Sequence, residues 1–474
     1  MNLSNAALKD FVNINSSGFH HFSSQRGNEQ QSILNVLFCT MNHFFGDMRD
    51  LFSGVKDPRY PGKTEYSIPC LAFVGVLMYL LRLSSRRQVG LLLRTPASIE
   101  TCEALFGVSG LPHGDTLNKA FCKMNPRHFQ EVVCKMVRSL IVKKALDQFR
   151  LFGKYFVVAI DGTGTLSFPR RHCPHCLTRK HNGKTSYYHC VLEAKLVTAN
   201  GLALSVMTEF VENPGPDPKK QDCELKAFYR LAAKLHDAFP RLPILLTMDG
   251  LYACGPVFEI CQRYGWGFMI VLKDKDLPSV NEEFETLISL TPENRCAFIT
   301  GKDRDVRQEF RWVEDISYTD TNHKEHCLCV VECLEIKSNS EGNLVSSKFK
   351  WITNIKVTKP RVVALANEGG RIRWKIENEG FNTQKNGGYG LEHGYTKDAN
   401  AAKIFYYLLQ IAHVIEQLIT KGSLLKRFFP RGVGSGKNLA FRLLEAMRNF
   451  SFGKILLDAI TVWRLQIRFC SDTS

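Results

Sequence analysis

Between residues 154 and 273 the chain alternates short apolar runs with amphipathic stretches, and that alternation restricts the fold more than any other feature. The runs Tyr155-Phe-Val-Val-Ala-Ile160 and Leu242-Pro-Ile-Leu-Leu-Thr-Met248 read as buried strands. Strands at 155–161, 186–197 and 202–211, the last two joined by the turn Ala199-Asn-Gly201, come first. A helix at about 220–237, a strand at 242–248, a helix at about 253–264 and a strand at 267–272 follow.

The order β-β-β-α-β-α-β is that of an RNase H-like core, an α/β fold. In that topology the strand after the first helix lies beside strand one. Each apolar run ends on an aspartate, Asp161 and Asp249, so the two carboxylates would finish neighbouring strands. A third acid, Glu377, closes the cluster Arg373-Trp-Lys-Ile-Glu377. A single strand-end aspartate is ordinarily the cap of the next turn. Three acids held by rigid elements supply the hard oxygen ligands that Mg²⁺ or Mn²⁺ prefers, and phosphodiester chemistry uses such a set to hold two ions.

Around this core, residues 1–150 form a helical N-terminal domain, polar and loose over 1–30, with apolar residues recurring at three and four from about Ser32. Its segment Ser84-Ser-Arg-Arg-Gln-Val-Gly90 reads either as a basic face for DNA or as an ordinary helix surface. The core's first part spans 151–274. Residues 275–356 are strand-like at 309–316, 326–336 and 345–355, an all-β insertion. Helical periodicity returns over 357–420, which carries Glu377 and completes the core. A basic helical C-terminal region, 421–474, closes the chain.

The intervals between the acids, 88 and then 128 residues with the β-rich stretch before the last, resemble the DDE transposases of bacterial insertion sequences that carry a β insertion. That family shows Tyr-x2-Arg-x3-Glu-x6-Lys around its glutamate. Arg373 and Glu377 satisfy the Arg-x3-Glu part, and Ile376-Glu-Asn-Glu-Gly-Phe-Asn-Thr-Gln-Lys385 is similar to one branch of the group. The tyrosine position falls on Gly370 and the lysine position on Gln384, one residue before Lys385. Glu379 is the rival third ligand, but two residues turn a helix by about 200°, so both glutamates cannot face one site. The register with Arg373 favours Glu377.

The resemblance implies cleavage at terminal inverted repeats of double-stranded DNA and transfer of the 3′-hydroxyl to target DNA, by a homodimer in the active complex. Asp161, Asp249 and Glu377 would be catalytic and hold two Mg²⁺ (or Mn²⁺) ions, with Arg373 and Lys385 on phosphates. In relatives that form a hairpin at the element end, a tryptophan stacks a flipped base; Trp351 occupies the similar place, and reads equally as a core residue. Two other classes compete. One is a transposase-derived DNA-binding protein that does not cut, and the other an RNase H-like nuclease without strand transfer.

Charge agrees with a polyanionic partner. Lys and Arg number 62 against 46 Asp and Glu, a net +16. Residues 421–474 hold ten basic and three acidic side chains, and Lys421, Lys426, Arg427, Arg431 and Lys437 near their start are expected on DNA phosphates. Gly432-Val-Gly-Ser-Gly-Lys437 lacks the Gly-x4-Gly-Lys-Ser/Thr spacing of a nucleotide loop and reads as a flexible basic linker. His172-Cys173-Pro-His-Cys176, followed by His181 and by His189-Cys190, has the Cys-x2-Cys knuckle of a zinc site, with Cys173, Cys176 and His181 as ligands, or is a set of reduced, unliganded thiols. His326-Cys-Leu-Cys329 reads as packing along a strand.

The longest uncharged apolar stretch, Ile68 to Leu81, is short of the ~20 residues that cross a bilayer and reads as a core helix. The first residues lack a signal-peptide pattern, so a cytoplasmic, nucleoid-associated protein with reduced cysteines is expected.

Overall fold

The computed structural model describes residues 26–215, 218–301, 303–338, 342–462 and 465–469. Residues 1–25 of the stretch expected to be loose lie outside these, and from Arg26 the chain is helical. The protein is mixed α/β, with a ten-stranded mixed sheet between helical stretches at both ends of the chain.

Along the chain come α1 (Arg26–Phe45), α2 (Ile68–Leu80), α3 (Pro96–Phe106), α4 (Gly114–Phe121) and α5 (Arg127–Val142). Next are β1 (Phe156–Phe168), β2 (Leu177–His181), β3 (Lys184–Val197), β4 (Ala203–Val211), α6 (Glu224–Ala238), β5 (Ile244–Met248), α7 (Gly255–Tyr264) and β6 (Gly267–Val271). After α8 (Pro278–Leu287) the chain forms β7 (Arg295–Thr300), β8 (Val306–Thr319), β9 (Glu325–Ser338) and β10 (Leu344–Thr353). A helical segment over 362–386 precedes α9 (Ala399–Lys421), α10 (Gly436–Asn449) and α11 (Lys454–Val462).

These elements make two compact units, one of residues 26–129 and 395–469, the other of 130–394. In the helical unit, Ser67 caps α2, its hydroxyl accepting from the Cys70 N–H at 3.5 Å, and every residue of α2 except Pro69 is buried. A helix apolar on all sides needs neighbours on all sides. The long α9 is one of them: a Cβ on Gly75 would stand 2.7 Å from Leu408 Cδ1, so the glycine admits that leucine. The Arg82 guanidinium meets the Glu416 carboxylate of α9 at 2.5 Å. The core segment expected to run to residue 420 therefore ends earlier, because the apolar face of α9 belongs with α2. Arg86, in the basic segment, donates to Tyr395 O at 2.7 Å and Gly114 O at 3.3 Å, while Arg87 is exposed.

The second unit holds the sheet, in the order β2-β3-β1-β5-β6-β10-β9-β8-β7. Strand β1 is antiparallel to β3 and parallel to β5, and β5 is parallel to β6. β4 and β2 pair with successive stretches of β3. The β-rich stretch 275–356 does not stand apart as a sheet of its own: β10 pairs with β6 through Trp351↔Val271, so β7–β10 extend the same sheet. Residues 130–150, expected with the N-terminal domain, join this unit. Gln130 explains why, donating to Val206 O at 3.1 Å and accepting from Thr208 N at 2.9 Å on β4.

Candidate metal centre

The parallel pairing of β1 with β5 ends at Ala159↔Thr247. Asp161 and Asp249 each lie two residues beyond that last pair, so register alone sets them side by side where the strands part. Asp161 does not end its strand as expected; β1 continues to Phe168 against β3 alone. Asp249 caps the turn Gly250–Tyr252, one carboxylate oxygen accepting from the Leu251 N–H at 3.0 Å.

The Asp161 carboxylate accepts from the Gly162 N–H at 2.9 Å through one oxygen and faces the Arg373 guanidinium at 3.4 Å through the other. Burial pushes its pKa up to about 6; Arg373 and the Gly162 N–H oppose the rise, and the charges of Asp249 and Glu377 add to it. Glu377 is thus close enough to act on Asp161.

Its segment is positioned by an apolar ridge. Ile372 and Ile376 are buried in the core with Leu365 and Phe381, so Arg373 and Glu377, each one position later, share the adjoining face. Residues 376–382 form wide i→i+5 turns, a geometry that recurs at functional sites. Lys195 of β3, fully buried, supports them. Its ammonium pairs with Glu193 at 3.2 Å and lies over the Phe381 ring, while its side-chain carbons pack against Gly380. The Ser205 and Thr208 hydroxyls also donate to Glu193. Thr247 of β5 donates to Gly370 O at 3.3 Å. Glu379, the rival glutamate, turns to Lys375 at 3.0 Å.

Sequence reasoning missed Glu224, the first residue of α6. A Cβ built on Gly162 would fall 2.5 Å from the Glu224 carboxyl carbon, so this carboxylate lies directly against the backbone beside Asp161. Burial, then Asp161 and Asp249, push its pKa up. The signal was present in Gly162: a glycine inside a strand marks a close approach. Tyr252, 1% exposed, sits under the same acids, its hydroxyl without a hydrogen-bond partner among the described residues, and burial followed by the charges of Glu224, Asp249 and Asp161 raises its pKa.

The other expected site residues scatter. Lys385 pairs with Glu392 at 3.0 Å, and its charge opposes the burial-driven rise of the Cys190 pKa. Trp351 is 2% exposed, its indole packed against Gly370 in the core, so it offers no face to a base; the exposed indole nearby in sequence is Trp374, beside Arg373. Lys421, Lys426, Arg427, Arg431 and Lys437 are exposed on the helical unit. Within 432–437, Ser435 caps α10 and the chain is ordered into a helix start. Cys173 and Cys176 come together with His172 and His189, whereas His181 stands exposed at the end of β2. Glu259, Asp320 and His326 also converge, but Asp320 already accepts from Asn322 N, Lys324 N and His326, which makes them a tied loop. Among the described residues the cysteines are free thiols, and no helix is long and apolar enough to cross a membrane.

No protein-family model matches the chain, and comparison with curated proteins gives no significant match.

Proposed function

We propose that the acidic cluster is the metal centre of a DDE-type DNA transposase, built on an RNase H-like core that β7–β10 extend. The observation that carries this reading is that Asp161, Asp249 and Glu377 come from three distant parts of the chain, yet the charges of Asp249 and Glu377 both act on the Asp161 carboxylate. The strand order β3-β1-β5-β6, with only β3 antiparallel, agrees with that core.

The donor set fits Mg²⁺ or Mn²⁺: carboxylate oxygens with no sulfur or imidazole among them. When bound, two such ions would activate the attacking water or 3′-hydroxyl and stabilise the leaving oxygen. The chain's own residues would do the rest. Asp161 and Asp249, fixed by their backbone hydrogen bonds, and Glu377, fixed by the ridge beneath it, would hold the ions. Arg373 would exchange its pairing with Asp161 for a DNA phosphate as the metals neutralise that carboxylate. The exposed basic residues after 420 would bind the DNA backbone without reading sequence.

The test is cleavage of duplex DNA carrying the sequences that flank the gene, with Mg²⁺ supplied. Cutting at inverted repeats is expected, and Asp249→Ala should abolish it while leaving DNA binding intact. An Asp249→Ala protein that still cuts would sink the assignment.

A further inference from the structure

We infer that His172, Cys173, Cys176 and His189 form a zinc site that pins the far end of the antiparallel β1–β3 pair. Three donor atoms make a nearly equilateral triangle: Cys173 Sγ to Cys176 Sγ is 3.5 Å, and His189 Nε2 is 3.4 Å from each sulfur. A ring nitrogen of His172 supplies the fourth corner, all four lying within 4.8 Å of one another. In a tetrahedral zinc site with Zn–S near 2.3 Å and Zn–N near 2.0 Å, the edges between ligand atoms are about 3.8 Å for two sulfurs and about 3.5 Å for sulfur and nitrogen. The triangle's edges of 3.5 and 3.4 Å fall within about 0.3 Å of these. A sulfur–sulfur bond would need about 2.0 Å, so the two thiols are separate groups.

The surroundings are built to hold the ligands. Cys176 N donates to Cys173 O at 3.4 Å, closing the turn of the Cys-x2-Cys knuckle. Asn213, after β4, fixes that turn from outside: its side chain donates to Cys176 O at 2.8 Å and its N–H to His175 O at 3.2 Å. The Phe168 ring stacks on the His172 imidazole at 4.6 Å and 8°. His189 lies on β3, opposite Leu166 of β1. The ligands therefore come from the knuckle after β1 and from the strand that pairs with β1, so a bound ion crosslinks two segments that the sheet ladder also joins. Four protein ligands leave no open position, which makes the site structural.

His181 follows Cys176 at plausible spacing, yet it faces away. It ends β2 opposite Lys184, at the hairpin turn, whereas His189 returns on β3 beside the knuckle. Linear spacing favours the nearer His181; strand pairing delivers His189 instead.

Elemental analysis of the purified full chain should find about one zinc per molecule. Replacement by Co²⁺ should give thiolate-to-cobalt charge-transfer absorption, which an oxygen-only site cannot produce, together with the visible bands of a tetrahedral ion. Cys173→Ser with Cys176→Ser should lose both, His189→Ala should weaken metal retention at least tenfold, and His181→Ala should change neither. The wild-type measurements decide even if a variant misfolds: a chain that holds no zinc and shows no thiolate–cobalt band overturns the site. Full retention in His189→Ala with loss in His181→Ala overturns this ligand set.

Discussion

Asp161→Asn should make the metal-free protein more stable. The Asp161 carboxyl has a pKa of about 6 in the folded chain, against ~3.9 in an unfolded one. Between those values the folded state binds more protons than the unfolded state, so stability falls as pH rises through the window. A gap of about two units corresponds to about 3 kcal/mol, fully felt above the folded pKa; at pH 5 the linkage relation leaves roughly half of it. The attraction of Arg373 is already inside that figure, because it holds the pKa down. Asparagine keeps the acceptor for the Gly162 N–H and carries no charge, so it escapes the penalty at all pH values.

In magnesium-free buffer at pH 7.5, thermal unfolding of the α/β unit should shift up by roughly 5–10 °C in Asp161→Asn, and by about half as much at pH 5. Adding Mg²⁺ should raise the wild-type midpoint and leave the variant unmoved, since a ligand stabilises only the state that binds it. A variant no more stable than wild type at pH 7.5, or an advantage that does not shrink toward pH 5, refutes the reasoning.

Glu377→Gln should abolish Mg²⁺-dependent cutting and Glu379→Gln should retain it; the reverse result in a cleavage assay moves the third ligand to Glu379. Glu224→Gln should raise the Mg²⁺ concentration needed for half-maximal cutting without altering DNA affinity, and an unchanged metal titration would make Glu224 a bystander. Neutralising Lys421, Lys426, Arg427, Arg431 and Lys437 should flatten log affinity against log salt by up to ~0.9 for each phosphate no longer neutralised, with the preferred end sequence unchanged. A slope equal to wild type in filter-binding or anisotropy titrations would show these residues to be solvated surface.

Much of the sheet was legible because buried strands declare themselves by composition. The expected strands at 186–197, 202–211 and 267–272 match β3, β4 and β6 to within two residues. What linear pattern could not supply was pairing. The extension of β1 to Phe168 lies in Gly162-Thr-Gly-Thr-Leu, a polar stretch that is a strand because β3 runs beside it. β2 and β7 went unseen for the same reason, being short and exposed. The fate of α9 depended on which apolar surface it met, and Gly75, the residue that admits it, lies more than three hundred positions away.

The placing of Asp161 and Asp249 at equivalent positions was legible because strand register is simple arithmetic: each lies two residues past the last pair of two parallel strands. Gly370 shows where motif comparison stops. A tyrosine belongs there in the resembling family, and here a Cβ alone would stand 2.7 Å from Trp351 Cε2. The two observations are one substitution in space. The indole of Trp351 fills the core volume that a side chain at 370 would enter, so a glycine at 370 and a buried tryptophan at 351 go together. The groups that remain at the surface of the same helical segment are Arg373, held 3.4 Å from Asp161, and Trp374, exposed beside it, so under the proposed function these two would meet the reacting strand.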